Sequence, residues 1–394
     1  MGVDTSRPRA IVVGAGVFGV TSALALCARR FDVTLVEAAV GPRPEAASTD
    51  ISKIVRMDYG ADGFYVELME RALPLWREWN ARWSHPLFHE DGFLLLSRDR
   101  LRSGTFEGDS LALLSSRGHA LQRIDAGTLQ ARWPAWAPSV YVDGYFNPEA
   151  GWVESGALVM QLLAQARREG LAIREGDRFA KLVEAGARVT GIVTAAGVTL
   201  SADVVVVAAG AWTTSLLPHL AHALWPVAQP VFHLVPRTPE PWRAPRFTVW
   251  AADIARTGWY GFPANAAGLV KIANHGPGRR VAPDEPRTTT PAEADALRSF
   301  LHESLPALAE VPVHASKTCL YSDSFDGDFW IGRDPDRPGL AVAAGDSGHG
   351  FKFAPVLGEI VADAVEGNTT AATRRFGWRT PVARKTEDAR FGLS

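Results

Sequence analysis

Arg9-Ala10-Ile11-Val12-Val13-Gly14-Ala15-Gly16-Val17-Phe18-Gly19, then an Ala/Leu-rich stretch to Arg30, then Asp32-Val33-Thr34-Leu35-Val36-Glu37, decides the fold of this 394-residue chain. Residues 9–13 are an apolar run of buried-strand length, residues 20–30 read as a helix, and residues 32–37 as a second strand. Together they make a βαβ unit of about thirty residues. The glycines have separate duties. Gly14 permits the tight turn, Gly16 lets the backbone approach a pyrophosphate, and Gly19 lets the helix pack closely on the strand. The helix N-terminus offers N–H groups and a positive dipole end to phosphate. Glu37 closes the second strand, where it suits a ribose 2′-OH and repels a 2′-phosphate. The turn alone does not separate FAD from NAD.

The rest of the fold returns late in the chain. Ala202-Asp203-Val204-Val205-Val206-Val207-Ala208-Ala209-Gly210 reads as a fully buried strand closing on a glycine turn, with Ala211-Trp212 after it. Residues 340–344 form a strand and 355–366 a helix. An N-terminal turn completed by C-terminal elements favours FAD. Between these ends, residues 41–50 read as a loop and residues 64–83 as a helix with apolar Phe64, Leu68, Ala72, Leu75, Trp76 and Trp79. Residues 92–97 read as a strand, 157–168 as a helix, 226–285 as an antiparallel sheet and 291–308 as a helix. The expected class is α/β: a Rossmann-like FAD-binding domain (1–88, 151–217 and 322–394) interleaved with an α+β substrate domain (89–150 and 218–321) on a mainly antiparallel sheet.

Composition removes other classes. Lys and Arg number 41 against 43 Asp and Glu, so there is no basic footprint for nucleic acid or an anionic membrane. No apolar run approaches about 18 residues, so no membrane span is predicted. The first apolar run meets a glycine turn at once, unlike a signal peptide. The two cysteines, Cys27 and Cys319, make no disulfide framework, and a reducing, cytoplasmic setting is the default expectation. The histidines lack ligand spacing, so no metal is expected. Met1-Gly2 with Ser6 fits the loose N-myristoylation pattern, whose three fixed letters recur easily.

The C-terminal third carries a resemblance. Lys317-Thr318-Cys319-Leu320-Tyr321, Asp328-Phe329-Trp330-Ile331 and Ala343-Ala344-Gly345-Asp346-Ser347-Gly348-His349-Gly350-Phe351-Lys352-Phe353 closely resemble the monomeric sarcosine oxidase family. So do Tyr260-Gly261-Phe262-Pro263 with Lys271 and His275, and Asp50-Ile51-Ser52-Lys53-Ile54-Val55-Arg56. That family lies among the D-amino-acid-oxidase-like flavoproteins, with N-methyltryptophan oxidase, pipecolate oxidase and the fructosyl amino acid oxidases (amadoriases).

The resemblance implies an FAD-dependent oxidase of a secondary amino acid, acting as a monomer on a small-molecule substrate and O2. FAD would be held by Gly14, Gly16, Val17, Phe18, Gly19, Glu37, Ser48, Lys53, Gly348, Gly350, Phe351 and Lys352, and joined to Cys319 through a thioether. A thiolate there needs nearby positive charge. Lys271 matches the lysine that activates dioxygen, where a fixed cation assists electron transfer. Arg56 and Lys352 match the pair that binds the substrate carboxylate, an arginine fork plus a point charge. The helix after Lys352 would direct its positive end at the reduced flavin. Tyr260, His275 and Tyr321 match cavity residues. The expected reaction passes a hydride equivalent to the flavin, forms an imine, and yields hydrogen peroxide beside Lys271. A flavin amine dehydrogenase, or a biosynthetic oxidase of a cyclic or larger amine, is the alternative. Substrate cues are mixed: Lys53 is amadoriase-like, His275 sarcosine-oxidase-like. Of the thirteen tryptophans, Trp76, Trp79, Trp133 and Trp136 sit in core-packing segments, while Trp250, Trp259 and Trp330 lie nearer the expected pocket.

Overall fold

The computed structural model describes residues 7–382, 385 and 389–390, and counts below refer to these; the Met1-Gly2/Ser6 pattern lies outside them. The opening stretch forms the strand Arg9–Val13, the helix Val17–Ala28 and the strand Asp32–Glu37. The helix starts three residues before the predicted Val20, because Gly16 is extended (φ −66°, ψ 179°) and helical geometry follows it directly. Gly14 has φ +100°, a conformation costly for any other residue. A Cβ on Gly19 would lie 1.8 Å from the Gly14 carbonyl oxygen, so that contact is backbone against backbone. Gly19→Ala is therefore expected to push the helix off the strand at a cost of about 1–3 kcal/mol. A lowered Tm together with reduced flavin content would show it; full flavin content at the parent Tm would contradict it.

Arg9–Val13 is central in a six-stranded sheet ordered Trp330–Arg333, Leu340–Ala344, Val204–Val207, Arg9–Val13, Asp32–Glu37, Ala172–Glu175. All neighbours are parallel except the edge pair Trp330–Arg333 with Leu340–Ala344. Side chains alternate across the sheet: Ala10 and Val12 enter one core, Ile11 and Val13 the other. With both faces covered, the strands read as unbroken apolar runs rather than alternating ones. The helices Val17–Ala28, Gly63–Arg82, Ser155–Arg168 and Ala354–Glu366 supply apolar residues to the first core. The second core takes residues from Phe179–Ala185 and Arg188–Thr194, which belong to a small antiparallel sheet.

A nine-stranded sheet forms the other half of the molecule. It is antiparallel except where Phe93–Ser97 runs parallel to Val249–Ala252. Both the α/β class and the mainly antiparallel second sheet are as the sequence predicts. The 291–308 helix is corrected to Pro291–Ser304 plus a separate Pro306–Ala309 turn. Leu305 breaks it at φ −136°, ψ 65°, because a residue before proline avoids helical geometry. The capped helices Phe106–Ser116 and Ala126–Arg132 were not foreseen; Thr105 and Asp125 start them.

The long strand Val313–Ser324 links the halves. It pairs along its length with Leu224–Leu234, and its Ser322 accepts a 3.0 Å bond from the Ser347 N–H beyond the parallel sheet. Cys319 and Tyr321 ride on this strand. No helix among the described residues is long and apolar enough to cross a membrane.

Candidate active site

The carboxyl ends of the parallel strands open into a cavity of about 1250 Å³ unfilled by protein atoms. This is where open α/β sheets bind ligands. Gly14, Gly16, Val17, Phe18, Glu37, Ser48, Lys53, Gly348, Gly350 and Phe351 line it, along with Ala208 to Trp212. Gly19 does not; it serves the helix–strand packing. The helix Val17–Ala28 enters with no side-chain cap from Gly16 and no acid in its first turn, leaving its positive end toward the cavity. The Ser48 hydroxyl accepts from Val17 N–H at 3.0 Å. Glu37 accepts from Ala15 N–H at 2.6 Å and Ala39 N–H at 3.1 Å. A carboxylate has about four acceptor positions, so these bonds leave room for a ribose hydroxyl. The glycine turn, the acid-free helix start and the acid at the second strand's end fit an adenine dinucleotide.

A buried cluster of charge adjoins this cavity through Lys53. Lys53, shared by both cavities, has its Nζ 3.6 Å from the Cys319 sulfur. Burial opposes the charge on Lys53, but Cys319 and Asp50 outweigh it and hold its pKa above the usual lysine range. Lys271 lies 2.5 Å from Asp50 Oδ2 and donates to the Ser52 carbonyl at 2.6 Å. Burial, aided by Lys53, lowers Lys271 to about 8, although Asp50 pulls the other way. Asp50 is itself held well below the carboxylate range: burial raises it, but Lys271, His233, Lys53 and Lys317 prevail. Neither Lys271 nor Cys319 is a cavity-lining residue; each stands behind the wall, Cys319 next to the lining Leu320.

A second cavity of about 530 Å³ abuts the first and shares Lys53, Tyr321, Gly348 and Phe351 with it. Arg56, Tyr260, His275 and Lys352 line it too. Arg56 and Lys352 are both buried and converge on Tyr59, a residue the sequence reading did not single out. The Arg56 guanidinium lies 5.2 Å from the Tyr59 ring; the Lys352 ammonium lies 5.0 Å from it and donates to its hydroxyl at 2.8 Å. Arg56 also donates to the Asp58 carbonyl, and Tyr145 donates to the Asp58 carboxylate. His275 Nδ1 is 3.3 Å from the Tyr321 hydroxyl. Burial pushes Tyr260 up to about 12, against the pull of Lys53, and Tyr321 well above the usual phenol range. Both therefore stay neutral hydrogen-bonding groups at physiological pH.

The tryptophans do not line this pocket. Trp250 and Trp259 pack in the core behind the large sheet and Trp330 in the core beside the parallel sheet. Trp76, Trp133 and Trp136 are core residues as their segments predict, and Trp79 packs at the edge of that core.

Arg390 is a further residue with no signal in its local sequence. It is buried, donates to the Gly276 carbonyl at 2.8 Å and pairs with Asp323 at 2.7 Å. It thereby ties the segment after His275 to the strand bearing Tyr321. Arg390→Met leaves Asp323 buried without this partner, a change expected to cost about 3–5 kcal/mol. Denaturant unfolding measures it, and an unchanged midpoint would contradict the pairing's importance.

Residues 9–364 match the FAD dependent oxidoreductase family, and the chain belongs to it. It is an FAD-dependent oxidoreductase. Over 375 residues the chain is 30% identical to the N-methyl-L-tryptophan oxidase of Salmonella enteritidis PT4 (strain P125109), covering 92% of this chain and 95% of that one. Its fold is similar to that of the fructosamine oxidase Amadoriase II from Aspergillus fumigatus in complex with FSA, with TM-score 0.84, 23% identity and coverage of 99% and 95%. The fructosyl peptide oxidase from E. terrenum gives TM-score 0.84 at 20% identity, with coverage of 98% and 94%.

Proposed function

We propose that the protein oxidises the C–N bond of a secondary amino acid to an imine, with O2 reduced to hydrogen peroxide. The observation that carries this reading is the second cavity: two buried cations sharing one tyrosine, on the wall of the dinucleotide cradle. FAD, when bound, supplies the two-electron acceptor that the amino-acid side chains lack. Residues 1–88, 151–217 and 322–394 build the FAD domain, and 89–150 and 218–321 the substrate domain. The strand memberships of the two sheets support that division, with Val313–Ser324 straddling its last boundary.

Arg56 and Lys352 take the substrate carboxylate, the arginine through its planar fork. Tyr260, Tyr321 and His275 face the amine from the other walls. Neutral phenols and an imidazole can accept its proton-bearing end without trapping it as a strongly paired ammonium. Lys271 supplies the cation on the oxygen side. The scattered exposed apolar residues Val40, Val142, Met160, Val198, Val235 and Val382 support a monomer, and the two unpaired cysteines support a reducing, cytoplasmic setting. An oxygen electrode with peroxide detection tests the reading: one H2O2 per O2 with N-methyl or fructosyl amino acids is expected. Turnover with dyes but not O2 would contradict it.

Cys319 is the residue we assign to covalent attachment. Its sulfur lies 3.6 Å from the ammonium of Lys53, a residue that lines both cavities. After acid precipitation the yellow colour is expected in the pellet, and Cys319→Ala should move it to the supernatant. A colourless pellet from the parent protein would contradict the link.

A further inference from the structure

We propose that Asp50 is a positioning residue for the oxygen-side cation: its buried carboxylate holds Lys271 in place and keeps it protonated. The inference rests on the reading of Lys271 given above, and adds to it the group on which that lysine depends.

The geometry is that of a fixed pair. The two side chains are 1% and 3% exposed and their charged atoms are 2.5 Å apart. Lys271 also donates to the carbonyl of Ser52, so both contacts come from one short segment, Asp50 to Ser52. That segment is anchored independently of the carboxylate: the Asp50 carbonyl accepts from Ser155 Oγ at 2.5 Å and Gly156 N–H at 3.0 Å. On the far side, the Lys271 ammonium lies 4.7 Å from the centre of the Phe262 ring, which lines the substrate cavity.

The surrounding charges show why a carboxylate is needed. Lys53 on the strand Lys53–Val55 repels Lys271, while Cys319 on Val313–Ser324 acts in the opposite sense. Lys317 at 3.5 Å and His233 at 3.3 Å hold the other Asp50 oxygen. Three lysines thus crowd one carboxylate. A buried lysine without a counter-ion gives up its proton, and a neutral amine offers no charge to the negative charge developing on dioxygen. With Asp50 present, Lys271 titrates at about 8. The cation is then present below that pH and lost as pH rises through it.

The chain has six lysines, Lys53, Lys181, Lys271, Lys317, Lys352 and Lys385. Holoenzyme labelled with 13C at lysine Cε therefore gives a spectrum simple enough to assign, with Lys271→Met identifying its signal. Asp50→Asn should lower the Lys271 titration midpoint by at least about one unit and slow reoxidation of reduced enzyme by O2 at pH 7.5 by at least about threefold. Anaerobic reduction by substrate should be little changed, and Asp50→Glu should restore much of both effects. Lys317→Met, at a half-exposed position, should move the midpoint the other way, because Asp50 then has one cation fewer to neutralise. It keeps the test decisive should Asp50→Asn not fold. Reoxidation slowed by Lys271→Met, with midpoint and rate unmoved in the Asp50 and Lys317 variants, would overturn the inference alone. An oxygen rate untouched by Lys271→Met would overturn the oxygen reading itself.

Discussion

Lys271→Met is expected to slow the reaction of the reduced enzyme with O2 by about 10²–10³-fold, the usual cost of removing one preorganised charge from a developing anion. The lysine is buried and held by Asp50 and the Ser52 carbonyl, so water cannot readily replace its charge. Methionine keeps the length of the side chain and removes only the ammonium. Reduction by the amine under anaerobic conditions should be nearly unchanged, and an artificial dye should restore turnover. In the parent enzyme the oxygen step should be full below pH 8 and decline as pH rises through about 8, where Lys271 loses its proton. Stopped-flow mixing of reduced enzyme with O2 across this range measures both effects. A rate unchanged by the substitution would show that Lys271 only fills space between Asp50 and Phe262.

Arg56→Met is expected to raise KM for an amino acid substrate by about 10²-fold, in the range for losing one partner of a buried, hydrogen-bonded charge pair. Lys352 would remain, but as a single point charge beside Tyr59. Arg56→Lys keeps the charge and loses the fork, and should fall between the two. The discriminating readout is selectivity. The parent should strongly prefer an N-methyl amino acid over the matching amine without a carboxylate, and the variant should lose most of that preference. Equal KM values for parent and variant would remove Arg56 from the carboxylate site.

The parallel sheet was legible in the sequence because its signals are local. Gly14, Gly16 and Gly19 act within one turn, and Val204–Val207 is apolar throughout because both of its faces are buried. The polar network was less legible. Asp50 meets Lys271 across 221 positions and Arg390 meets Asp323 across 67, and no periodicity marks such pairs. The motif containing Asp50 pointed to its neighbours Lys53 and Arg56, whereas the carboxylate's own role depends on how Val270–Asn274 and Val313–Ser324 lie beside it. Tyr59 carries no signal of its own for the same reason: it matters only once Arg56 and Lys352, far apart in the chain, converge on its ring. Trp250, Trp259 and Trp330 could not be placed from the sequence, since proximity in sequence to pocket residues does not decide which face of a strand a side chain takes. Trp259 and Tyr260 are adjacent on one strand, yet the first enters the core and the second the cavity.

We propose that an amino acid with a secondary amine is oxidised in the cavity between Arg56, Lys352 and the FAD cradle. Anaerobic mixing of the yellow holoenzyme with a panel of amines tests it most directly. Rapid bleaching of the flavin by one or more N-methyl, fructosyl or cyclic amino acids is expected, and little by the same amines without a carboxylate. Flavin that stays oxidised with every carboxylate-bearing amine, or is bleached equally well by those lacking the carboxylate, would contradict it.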